Sequence, residues 1–152
     1  MSFVGVVEFV RAEPAAVYAL FRNPETFPEF MTNVQRVEVL QRGDGWSISH
    51  WLTDLDGAPL EWQEVDHYDD EAHVIAFQLI EGDITRFEGK WAFAPCTGGT
   101  AASCEIEYEL GVPLIEEAVG PIIRQKLESN IEEMLAAAKE RVETTQAAPA
   151  GG

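Results

Sequence analysis

Glu64 and Asp66 stand two residues apart, and Trp62 precedes Glu64 by the same interval. On a β-strand, side chains at this spacing share one face, with neighbouring members roughly 7 Å apart at Cα. If that face is buried, water exclusion by the indole and mutual repulsion would raise at least one carboxyl pKa. Such a group can remove a proton α to a carbonyl, or protonate an aldol oxygen. With the strand phased the other way, both acids meet solvent, as most of the chain's 27 Asp and Glu must. His50 is the third candidate, because its pKa suits acid/base work near neutrality. A two-residue turn at Asp56-Gly57 would pair Trp51 with Trp62 and Ser49 with Glu64, leaving His50 on the outer face. A three-residue turn, which Pro59 would suit, sets His50 opposite Glu64 instead. His67 and His73 flank an acidic turn and are expected to be solvated.

Other chemistries lack their residues. There is no Gly-rich phosphate loop, nucleophile elbow or Ser/His/Asp order. Cys96 and Cys104 are the only cysteines and have no metal-ligand spacing, so neither a metal nor a cofactor is expected. Lys+Arg number 10 against 27 acids, a net charge of -17. That balance disfavours nucleic acid and anionic membrane surfaces. No apolar run approaches a membrane span, and Glu8 interrupts the only stretch near the N-terminus that could pass for a leader. A cytoplasmic protein is the expectation.

The elements that must position these residues follow from pattern. Turn clusters at 43–45, 56–59, 69–71, 82–83 and 95–99 separate stretches rich in Val, Ile, Trp, Phe and Tyr. The spacing predicts strands near 3–11, 34–42, 46–55, 60–68, 73–81, 85–94 and 101–111. The last is the clearest, with Cys104, Ile106, Tyr108 and Leu110 on one face and Ser103, Glu105, Glu107 and Glu109 on the other. Two short helices are expected after the first strand, one over Ala15 to Phe21, with Pro14 suited to its first turn, and one that Asn23-Pro24 starts and that ends near Phe30 and Met31. Ile123, Leu127, Ile131, Met134, Leu135, Ala138 and Val142 mark an amphipathic helix over 121–142, separated at Gly120-Pro121 from a preceding turn. Residues 1–143 should form one α+β domain, and 144–152 a disordered tail. One helix cannot cover both faces of seven strands. The economical solution is a strongly curved antiparallel sheet gripping the long helix, with space left between them.

Several stretches carry a family likeness. They are Ala12-Glu13-Pro14-Ala15-Ala16-Val17-Tyr18-Ala19-Leu20, Phe27-Pro28-Glu29-Phe30-Met31, Glu38-Val39-Leu40, and Glu81-Gly82 followed by Phe87-Glu88-Gly89-Lys90-Trp91-Ala92-Phe93. Through them the chain resembles the START/Bet v1-like (SRPBCC) helix-grip superfamily. Within it the likeness is to bacterial polyketide cyclase/aromatases and the coenzyme-Q-binding Coq10-type proteins. The resemblance implies that Trp62 faces an internal cavity, which directs Glu64 and Asp66 inward. Asp66 stands where those cyclases carry an arginine, and Glu64 where they carry a small polar residue. Trp51, Phe77, Phe87, Trp91 and Tyr108 are the expected lining of a cavity of a few hundred Å³, with Arg86 at its entrance.

The function so implied is a polyketide cyclase, with aromatase or dehydratase chemistry, that folds a polyketide intermediate for ring closure. Its substrate would arrive on an acyl carrier protein, which needs a local basic patch such as Arg36, Arg42, Arg124 and Lys126. The alternative is a non-catalytic carrier of a quinone, lipid or other apolar metabolite. A ribosome-associated role, known in the same group, is disfavoured by the net charge.

Overall fold

The structure, a computed structural model, describes residues 2–55, 57–109 and 113–147, with only the backbone of 113–117 and 146–147. The chain runs β1 (Ser2–Val10), α1 (Pro14–Phe21), a 3-10 helix (Pro24–Glu29), β2 (Val34–Gly43), β3 (Trp46–Leu55) and β4 (Ala58–Asp69). It continues with β5 (Val74–Gly82), β6 (Arg86–Cys96), β7 (Gly99–Glu109) and α2 (Pro113–Ala147). The strands form one antiparallel sheet in the order β1-β7-β6-β5-β4-β3-β2. This is the expected α+β helix-grip arrangement.

Alternation decides what each strand buries. On β7, Ala102, Cys104, Ile106 and Tyr108 are buried, and Glu105 and Glu107 between them are exposed. Leu110, expected on the same face, lies outside the described residues. On β3 the inward set is Ser47, Ser49, Trp51, Thr53 and Leu55. Close approach of the strands is permitted where a side chain is missing. A Cβ on Gly89 would lie 2.0 Å from the Glu105 carbonyl oxygen and 2.9 Å from the Phe77 ring. Only glycine lets β6 and β7 fold over Phe77 there.

The helix closes what the sheet leaves open. Leu127, Ile131, Met134, Leu135, Ala138 and Val142 turn inward and are buried. On one side, Arg124 donates to the Phe3 carbonyl (3.2 Å) and Lys139 to that of Phe9 (2.7 Å), covering the free edge of β1. On the other, Asn130 donates to the Asp54 carbonyl (3.1 Å), and Asn33 donates to that of Asn130 (2.9 Å). One helix is thus tied to both ends of the strand order.

Two expectations about this helix are corrected. It does not begin at Pro121 but runs through it from Pro113. A proline removes a single i−4 bond, and a helix held on both sides can carry that loss. Nor does it stop near Val142. Residues 144–147, expected in a disordered tail, continue the helix, supported by Thr145 donating to the Arg141 carbonyl (2.8 Å) and by the Lys139–Glu143 ion pair (3.1 Å). Residues 148–152 lie outside the described residues.

Ile131 is 3% exposed in the middle of the helix–sheet contact. Ile131→Asp would bury an uncompensated charge at a cost of several kcal/mol. The expected outcome is loss of the cooperative thermal transition in circular dichroism. An unchanged melting temperature would place the residue on the wrong face.

Candidate functional site

β4 is phased so that Glu64 and Asp66 point into the barrel, each 4% exposed. The intervening Val65 faces outward between Ile48 and Gln78. What makes the inward phase tolerable is a set of hydrogen bonds. The Trp62 indole N–H donates to Glu64 Oε1 at 2.7 Å, and the two acids hydrogen-bond to one another. Gly82 lets Trp62 lie close to β5, because a Cβ there would stand 2.4 Å from that of Trp62.

Burial raises both carboxyl pKa values, Glu64 the more strongly. The neighbouring Asp66 charge pushes Glu64 further up, and the hydrogen bond between them opposes the rise at Asp66. Burial and the nearness of the two groups both favour retention of a proton by the pair. Asp66 Oδ1 is buried without a hydrogen-bond partner among the described residues. Ser47 lies opposite Asp66 in register, but its hydroxyl is engaged with Tyr68 (2.7 Å).

Glu64 opens onto an apolar cavity between sheet and helix. The expected Trp51, Trp62, Phe77, Phe87 and Trp91 all line it, and Leu127, Ile131 and Met134 form the helix side. Its volume is about 50 Å³, well short of the few hundred expected. The aromatics fill the barrel themselves. Trp51 stacks on Trp62 (5.7 Å, 8°), and Phe77 on Phe87 (5.3 Å, 30°).

Other expected site residues stand elsewhere. The β3–β4 turn is the two-residue form, with Trp51 opposite Trp62 and Ser49 opposite Glu64. His50 consequently faces outward, where its Nε2 pairs with Glu61 at 2.6 Å. Arg86 is also on the outer face, paired with Glu88. Tyr108 is buried in the core but does not line the cavity. Asp66 does not line it either and stands behind Glu64. Of the cations considered for carrier docking, Arg42 pairs with Glu25 (3.0 Å) and Arg124 donates to the Phe3 carbonyl of edge strand β1 (3.2 Å). Among the described residues no His/Cys/Asp/Glu group could hold a metal, and no helix is long and apolar enough to cross a membrane.

Sequence reasoning missed Thr53 and Asn130 in the lining. Both had a signal. Thr53 continues the period-2 set of β3, and Asn130 interrupts the helical stripe at 127, 131 and 134.

The pair has a consequence for stability. Each acid's pKa is raised on folding, so the native state holds its proton more tightly than the unfolded chain does. The contribution is complete below the ordinary values, 4.5 for Glu64 and 3.8 for Asp66, and is lost as pH rises through the raised values. Glu64→Gln keeps the geometry, with the amide oxygen accepting from Trp62 and the amide nitrogen donating to Asp66. The variant should gain stability relative to wild type as pH rises from the ordinary carboxylate range through neutrality. Urea unfolding midpoints of both proteins across that range measure it. Parallel pH profiles would show that the pair does not titrate as described.

Comparison with known proteins agrees with the fold. A protein of Thermus thermophilus matches with TM-score 0.89 and 28% identity, covering 95% of this chain and 99% of that one. The Zhui aromatase/cyclase of a Streptomyces species matches with TM-score 0.84 over 99% of this chain and 98% of its own. At 18% identity, that likeness speaks for the fold alone. An uncharacterised 17.2 kDa protein of Streptomyces lincolnensis is 30% identical over 86 residues, 47% of this chain and 55% of that protein, so the match spans about half the relative's length. Residues 10–135 match the model of a family described as polyketide cyclase/dehydrase and lipid transport. With its helix-grip fold, this chain belongs to the polyketide cyclase/dehydrase and lipid transport family.

Proposed function

We propose that this protein is a polyketide cyclase in which Glu64 moves the proton and Asp66, behind it, holds a second one. The observation that carries the reading is a buried carboxyl pair beside an otherwise apolar, aromatic-lined cavity. Burying such a pair is unfavourable for stability, and perturbed carboxyls beside a cavity are what proton transfer to carbon and oxygen requires.

The chemistry follows from the shared proton. A proton from the methylene between two substrate carbonyls, or from the corresponding enol, passes to a Glu64 oxygen. Glu64's own proton moves to Asp66 as it does so. The electron pair left on the substrate is an enolate. Its carbon attacks a second carbonyl, a C–C bond forms, and the carbonyl π pair ends on oxygen. That oxygen takes a proton from Glu64, and Asp66 returns its proton to Glu64. The pair is restored without exchange with water. Aromatic walls hold the chain folded, which supplies much of the acceleration.

The cavity as it stands has room for water but not for a ring system. Productive binding therefore requires the aromatic lining to open. Trp62 is the half-buried member of the Trp51–Trp62 stack and the natural part to yield.

A carrier of an apolar metabolite is the second reading, favoured by the lining and by lipid transport within the family. One experiment separates the two. Ring closure of a synthetic poly-β-ketone, followed by absorbance of the aromatic product, should be accelerated by wild type. Glu64→Gln should slow it by about 10²–10⁴ while leaving affinity within a few-fold. Equal turnover in the variant would remove Glu64 from the chemistry. Binding without acceleration by wild type would favour the carrier.

A further inference from the structure

We infer that Tyr68 and Ser47 form a donor chain behind the carboxyl pair. The Tyr68 hydroxyl donates to Ser47, and Ser47 turns its own proton to the free oxygen of Asp66 when that group carries charge. Both are positioning residues that act on Glu64 through Asp66, and their assignment rests on the pair being the proton carrier proposed above.

Two hydroxyls meet behind the pair with one hydrogen bond between them. Ser47 Oγ and Tyr68 Oη lie 2.7 Å apart, a contact in which either can donate. Neither has a further hydrogen-bond partner among the described residues, so one of the two hydroxyl protons is left over. Asp66 stands opposite Ser47 in the β3–β4 register, and Tyr68 follows on the same face of β4. Asp66 Oδ1 is buried with no hydrogen-bond partner among the described residues. Directly opposed side chains have Cβ atoms roughly 5 Å apart, within reach of a serine hydroxyl and a carboxylate once either turns about its Cα–Cβ bond. Ser47 is 1% exposed, so a proton left on it meets no solvent. Donation from Tyr68 to Ser47 and on to Asp66 therefore satisfies an orphaned acceptor and a spare buried donor together.

The outer end of the chain is built as a donor. Burial raises the Tyr68 pKa and the Asp66 charge adds to the rise, which keeps the phenol protonated. The Arg22 guanidinium lies 4.3 Å over the Tyr68 ring and draws density from it, strengthening the hydroxyl as a donor. Arg22 is fixed in turn by Asp70 (2.7 Å), which also takes the Tyr18 hydroxyl (2.6 Å). Other charge near Asp66 is sparse. Glu64 adjoins it on β4, and His67 stands exposed on the other face of that strand. β5 sets Phe77 opposite it, β7 contributes the buried Cys104 thiol, and Arg42 of β2 acts on Tyr68.

Urea unfolding of the full chain from acid to mildly alkaline pH tests the chain of donors. Ser47→Ala removes a donor to charged Asp66, so the folded-state pKa values of the pair rise further above their unfolded values. Stability from the bound protons is complete below the ordinary carboxylate range and is lost as pH rises through the folded values, so the variant loses more of it. Its unfolding constant relative to wild type should be at least roughly tenfold larger at the alkaline end than at the acid end, the scale of one hydrogen bond to a charged acceptor. Tyr68→Phe should move the profile the same way by a smaller factor, because Ser47 keeps its proton and loses only the bond that orients it. It decides the question alone if Ser47→Ala does not fold. Combined with Asp66→Asn, the Ser47→Ala effect should become independent of pH. A Ser47→Ala deficit of constant size at every pH would reduce both hydroxyls to packing and overturn the inference. So would a Tyr68→Phe profile displaced the opposite way, the result if Ser47 donates to Tyr68 instead. A pH-dependent effect that survives Asp66→Asn would name another acceptor and overturn it too. All of these outcomes read stability, so the donor chain can fail while the cyclase reading, tested by turnover, stands.

Discussion

Burying Glu64 beside Asp66 is unfavourable unless a proton stays between them, and the surroundings of β4 are arranged around that condition. With both groups charged, like charges would face one another in a region of low dielectric. One shared proton satisfies the hydrogen bond between them, and the Trp62 N–H satisfies the outer oxygen of Glu64. Trp62 can reach that oxygen because Gly82 leaves room beside its backbone, and its ring is held flat against Trp51. A polar requirement of two side chains therefore fixes the placement of a large aromatic group in the cavity.

The same economy appears at the scale of the barrel. A seven-stranded sheet with one helix must curve, and curvature demands places where side chains are absent. Gly89 is one, and Phe77 fills the volume it vacates. The helix then bridges the sheet's two ends by different means. Cationic side chains meet the carbonyls of edge strand β1, and a pair of asparagines links the helix to β2 and β3. Between these bonds the apolar residues Leu127, Ile131 and Met134 face the cavity, and Asn130 is the polar member of the helix side of its lining.

Much of this was legible in the sequence, for identifiable reasons. Strand boundaries agree because alternation and turn residues act locally, as in Ala102 to Tyr108. The phase of β4 was not legible from residue types, since Glu-Val-Asp reads equally well with either face inward. It came from the likeness of Trp62 to a cavity residue. His50 turned on a single residue of turn length, because one step of register reverses every side chain. Pro121 misled because a local rule about helix breaking was outweighed by contacts along both flanks of the helix. The cavity volume was beyond any periodic pattern. It depends on how rings stack, and the Trp51–Trp62 and Phe77–Phe87 stacks close space that a count of aromatics would leave open.

The net charge of -17, which excluded partners at first reading, also bears on the site. Glu105 and Glu107 face solvent on the strand that buries Cys104 and Ile106, so acidic groups lie on the convex side of the same sheet. The summed field of such a surface opposes negative charge inside the barrel and so acts in the same direction as burial. It favours retention of the shared proton and disfavours entry of an anionic ligand. An enolate formed in solution would be repelled at a distance and again at the pair. In the proposed cyclisation the neutral enol or ketone would meet neither barrier, and charge would develop only after Glu64 had taken the proton. A buried carboxyl pair, an apolar lining and an acidic exterior would then favour one order of events for that reaction: neutral binding first, proton transfer second, ring closure third.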